Sequence, residues 1–69
     1  MSAQELVIKI REAAGLSQQA LADRLGLYRS SVSQFETGVR IPQPHHAMKY
    51  LALNESQALG VTLEDFYLK

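Results

Sequence analysis

Residues 18–37 read QQALADRLGLYRSSVSQFET, and this stretch decides the fold. Two short helical patterns flank Gly26, with small or apolar residues at Leu21, Ala22, Leu25, Leu27, Val32 and Phe35. Two helices that cross closely need an alanine-sized residue at the crossing. They also need a residue tolerant of positive φ in the turn, and apolar side chains on the inner faces. Ala22 and Gly26 meet the two strictest of these demands, so the pattern predicts a helix-turn-helix over 18–37. Its second helix leaves Arg29, Ser30, Ser33 and Gln34 facing outward. All four can hydrogen-bond base edges or phosphates. The residues point to a small DNA-binding domain.

Upstream, Leu6, Val7, Ile10 and Ala13 or Ala14 recur at helical spacing and predict a first helix over about Gln4–Ala14. Gly15 ends it, and Leu16 supplies the apolar contact usual after such a cap. Ser17 is the expected N-cap of the second helix, Gln18–Leu25, with Ala20 in place of a capping-box acid. Downstream, Pro42 and Pro44 keep 39–43 out of helix, and Pro44 suits the first turn of a fourth. Met48, Leu51, Ala52, Glu55, Ala58 and Leu59 then suggest one helix of about 14 residues ending at Gly60. The alternative is a break at Asn54. Thr62 and Asp65 resemble a capping box for a last short helix carrying Leu63, Phe66 and Tyr67 or Leu68. Strand-like alternation is absent. The expected fold is all-α, a compact bundle of four to five helices.

Sixty-nine residues make one domain, 1–69, that buries only roughly 60% of its unfolded surface. No cysteine is present, which suits a reducing cytoplasm and excludes disulfides and thiolate metal sites. No apolar run approaches the ~18 residues of a membrane span. The charged start MSAQELVIKIREAAG does not look like an export signal. The balance of seven basic and seven acidic residues is not the usual basic footprint of a DNA binder. Residues 1–49, however, carry six basic and four acidic groups, whereas 50–69 carry one and three. The basic excess thus lies with the reading head. Weak overall attraction to DNA favours a dimer and leaves room for a protein partner.

The run IREAAGLSQQALADRLGLYRSSVSQFETGVRIP at 10–42, with LGVTLEDF at 59–66, resembles the lambda-repressor-like or XRE-type helix-turn-helix family. That family includes phage repressors and Cro proteins. The resemblance implies a five-helix bundle, and for most members a two-fold dimer on operator DNA that controls transcription in a bacterial or phage-encoded, cytoplasmic, nucleoid-associated setting. It implies that Gln18 contacts a phosphate and braces the reading helix, and that Arg40 lies against the DNA backbone. Thr37 and the Gly38 turn are candidates for the same backbone. Arg29 falls where relatives most often touch a base. An Arg there can bond guanine O6 and N7 or clamp a phosphate, and both readings stay open. Ser30 and Gln34 share the exposed face, with Gln34 suited to adenine, while Ser33 is assigned to phosphate. Family members also pair a helix-one arginine with the E-x-G glutamate, which implies a structural bridge between Arg11 and Glu36.

Two features depart from the family pattern. Tyr28 stands where relatives carry Ser or Thr as N-cap, a loss of about 1 kcal/mol that contact of its ring or hydroxyl with the DNA backbone would offset. The segment between Pro42 and Gly60 is a few residues longer than usual, in the region where relatives dimerise. Rival chemistry is weak. His45 and His46 are neighbours about 100° apart on a helix, with no cysteine or spaced carboxylate to complete a metal site. No nucleophile–base set or phosphate loop suggests an enzyme, and no cofactor is implied. The competing class is a protein-interaction module: an antitoxin docking a toxin through the acidic C-terminal end, or an activator touching RNA polymerase.

Overall fold

The computed structural model describes residues 2–67 and places α1 at Ala3–Ala14, α2 at Gln18–Leu25 and α3 at Arg29–Thr37. Two further helices follow, α4 at Pro44–Leu51 and α5 at Asn54–Ala58, and then a 3₁₀ turn at Leu63–Phe66. No strand occurs among the described residues. The all-α expectation holds, with the last element a 3₁₀ turn. Of its expected residues, Phe66 is buried, Leu63 remains 39% exposed, and Leu68 lies outside the described residues.

Local chemistry explains the boundaries. Ser2 and Glu5 form a reciprocal capping box at the start of α1. Ser17 accepts the Ala20 N–H at the start of α2. Gly26 ends α2 with φ of 68°, a left-handed conformation costly for any residue with a Cβ, and so permits the tight turn into α3. Leu6, Val7 and Ile10 of α1 meet Leu21, Ala22 and Leu25 of α2, Val32 and Phe35 of α3, and Ala47, Tyr50, Leu53 and Phe66 in one core. Ala22 is fully buried, as the helix crossing requires.

The single helix suggested for 44–59 is not formed; the break is. Ala52 caps α4, Leu53 is extended with ψ of 139°, and α5 starts at Asn54. The inward residues are Ala47, Tyr50, Leu53 and Ser56, whereas Met48, Ala52, Ala58 and Leu59 lie outside. In an unbroken helix a step of three residues drifts by about 60° each time, so Ala47 and Ser56 would face opposite ways. Extending Leu53 resets the phase and keeps all four in the core. The Ser56 hydroxyl donates to the Tyr50 carbonyl at 2.7 Å and satisfies one group freed by the break.

Candidate nucleic-acid interface

Helix α3 has two unlike sides. Val32, Phe35 and Glu36 are buried, while Arg29 and Ser30 are exposed and Ser33 and Gln34 are half-buried. At about 100° per residue, Arg29 and Gln34 mark opposite edges of an arc of about 140°, with Ser33, Thr37 and Ser30 between them. The arc carries donors and acceptors and, in its first turn, no acidic residue. Tyr28 precedes it as N-cap, 82% exposed and with no side-chain cap bond. Its carbonyl accepts from the Ser31 and Val32 N–H groups. Arg40 is exposed just beyond the far end, its N–H donating to the Gln34 carbonyl at 3.2 Å.

Glu36 fixes the inner side of α3. Its carboxylate accepts from Arg11 Nε at 2.6 Å, from Arg11 Nη2 at 3.0 Å and from Gln18 Nε2 at 3.2 Å. Arg11 Nη1 also donates to the Leu16 carbonyl, so one guanidinium ties α1 to both the α1–α2 turn and α3. The side chains are 22% and 6% exposed. The Glu36 hydrogen bond and charge hold the Arg11 guanidinium above its ordinary pKa, against the opposing pull of burial. Gln18 thereby braces α3 with one amide hydrogen, and its second N–H is still available to a phosphate.

The helix-turn-helix family model matches residues 7–55, which span α2, α3, α4 and most of α1. The chain belongs to the XRE-type, lambda-repressor-like helix-turn-helix family. Neither a curated protein nor a solved structure matches it. As an XRE-family member it is a DNA-binding transcriptional regulator, and α2 and α3 lie within the matched residues. No helix of the described residues is long and apolar enough to cross a membrane.

Two side chains that sequence reasoning did not single out reach the helix-turn-helix from outside residues 18–37, one at the end of α3 and one at the end of α2. Gln4 Nε2 donates to the Glu36 carbonyl at 3.0 Å, near the C-terminus of α3. The φ of 80° at Gly38 favours glycine, and a Cβ there would meet Gln4 Oε1 at 2.9 Å and displace that side-chain end. Lys49 Nζ donates to the Leu25 carbonyl at 3.1 Å, at the C-terminus of α2. A helix terminus leaves carbonyls free, but nothing local in the sequence indicates which distant side chain meets them.

The histidine pair begins α4. The two rings lie 3.9 Å apart, closer than neighbouring helix positions suggest, yet no three-residue metal cluster occurs among the described residues. His46 instead packs on Phe35 of α3, with ring centroids 5.3 Å apart and its Nδ1 buried without a partner. Burial first, then the charges of His45, Arg40 and Lys49, lowers the His46 pKa from its ordinary 6.5. The folded state therefore binds the proton more weakly than the unfolded state. Stability is fully present above pH 6.5 and is lost as pH falls below that value toward the lowered pKa. The melting temperature should fall as the pH drops below about 6.5, and His46→Gln should flatten that slope. An equal slope in the variant would assign the loss to another group.

Proposed function

We propose that this regulator binds a two-fold operator as a homodimer through the major groove and acts as a repressor or Cro-like switch protein. The observation that carries the reading is the exposed hydrogen-bonding arc of α3 on a helix whose inner side is locked by Glu36. Arg29, Ser30 and Gln34 read bases, while Gln18, Tyr28, Ser33 and Arg40 contact the backbone. A net charge of zero makes one head a weak binder, and pairing two heads on one duplex compensates. Exposed Val39, Ile41 and Met48 offer apolar surface for the pairing.

Arg40 tests the backbone part. Arg40→Ala should weaken binding to all duplexes alike and lower the slope of log affinity against log salt by about one unit per head. Titration of operator and unrelated duplexes over a salt series measures both quantities. A selective loss on the operator, with the slope unchanged, would move Arg40 from the backbone to the bases.

A further inference from the structure

Helix α3 lacks the side-chain cap that normally fixes where a helix begins. Tyr28 occupies the N-cap and makes no such bond. The inner side of α3 is held by Glu36 and the core, but its first turn is held only through the turn before it, Gly26, Leu27 and Tyr28. Within that turn the Gly26 N–H bonds to the Asp23 carbonyl at 3.4 Å and the Leu27 N–H to the Ala22 carbonyl at 2.9 Å. The Leu25 carbonyl points on from the end of α2 and is met from outside the motif by Lys49 Nζ at 3.1 Å. A Cβ placed on Gly26 would lie 3.7 Å from that ammonium, so the contact sits on the turn itself. A cation there also faces the negative end of the α2 dipole.

The anchor is well founded. Ala47 and Tyr50, two residues before and one after Lys49 in α4, are fully buried. Helix α4 packs chiefly on α5 and the 3₁₀ turn, so Lys49 joins the C-terminal half of the fold to the hinge of the reading head. Arg29 is the first residue of α3, three residues after Gly26, and takes up any tilt at the turn directly. Base readout tolerates little misplacement, roughly 0.5 Å or 10–20°.

We infer that Lys49 is a positioning residue: its bond to the Leu25 carbonyl holds the turn from which the recognition helix departs, and so sharpens base discrimination without touching DNA. The inference rests on the reading of α3 as the base-contacting helix. Lys49→Met keeps the aliphatic stem and removes the donor, whereas Lys49→Arg keeps a donor and the charge.

The test compares wild type, Lys49→Met and Lys49→Arg on the duplex that wild type prefers and on a scrambled duplex, over a salt series. Amide hydrogen exchange of the free proteins accompanies it. Lys49→Met should lower the preferred-to-scrambled affinity ratio about five- to tenfold, the scale of one ordinary hydrogen bond, since Lys49 is exposed. The salt slope should be unchanged, exchange at Ser31 and Val32 should quicken, and Lys49→Arg should restore most of the ratio. An equal loss on both duplexes with a slope lower by about one unit would make Lys49 a phosphate contact and overturn the inference. An unchanged ratio and unchanged exchange would overturn it too. Wild type without any preferred duplex would instead overturn the base-reading role of α3, and that outcome is visible before any variant is measured.

Discussion

Glu36→Ala is expected to unfold the reading head. The substitution strands the Arg11 guanidinium and the Gln18 amide nitrogen, both of which donate to the lost carboxylate. Removing one partner of a buried pair costs about 3–5 kcal/mol, and Arg11, at 22% exposed, places this case toward the lower end. A domain of this size has only a few kcal/mol in total, so even the lower figure consumes most of it. Circular dichroism should show a melting transition lowered below or close to room temperature, with DNA binding lost in parallel. Arg11→Ala should behave alike, because it leaves Glu36 buried at 6% exposure without its counter-ion. A variant that melts like wild type yet fails to bind DNA would instead place the pair at the DNA surface.

Arg29→Ala is expected to act in the opposite sense, leaving the fold intact and changing what is read. Arg29 is exposed in the first turn of α3 and makes no side-chain hydrogen bond or ion pair among the described residues, so nothing in the fold depends on it. A bidentate contact to guanine is worth roughly 1–3 kcal/mol of discrimination, or about five- to 150-fold at one base pair. The variant should melt like wild type and lose preference at one position of each half-site. A lower salt slope with base preference untouched would make Arg29 a phosphate clamp.

The contrast between these two arginines reflects what the chain makes legible. Local rules located Gly15, Ser17 and Gly26, because caps and turns depend on neighbours a few residues apart. The Ser2–Glu5 capping box has the S-x-x-E spacing and was equally open to that logic, though the first helix was expected only from Gln4. The helix-turn-helix itself was legible because a close crossing tolerates few residues at Ala22 and Gly26. Helix α4 was harder: its apolar residues fit two phases, and only the three-dimensional core shows that Tyr50 and Leu53 go in while Met48 stays out. Contacts between distant segments, such as Gln4 to Glu36 or Lys49 to Leu25, leave no periodic mark at all. The Arg11–Glu36 pairing came from family resemblance, since charge alone gives no reason to join residues 25 apart.

The most direct test of the central claim is selection of bound sequences from a random duplex pool at near-physiological salt. A dimer presenting two copies of α3 should enrich a two-fold symmetric consensus with half-site centres about 34–36 Å apart, one helical turn. Failure to enrich any sequence, with only weak and salt-sensitive binding, would contradict a sequence-specific operator binder and shift the role of the domain to protein interaction.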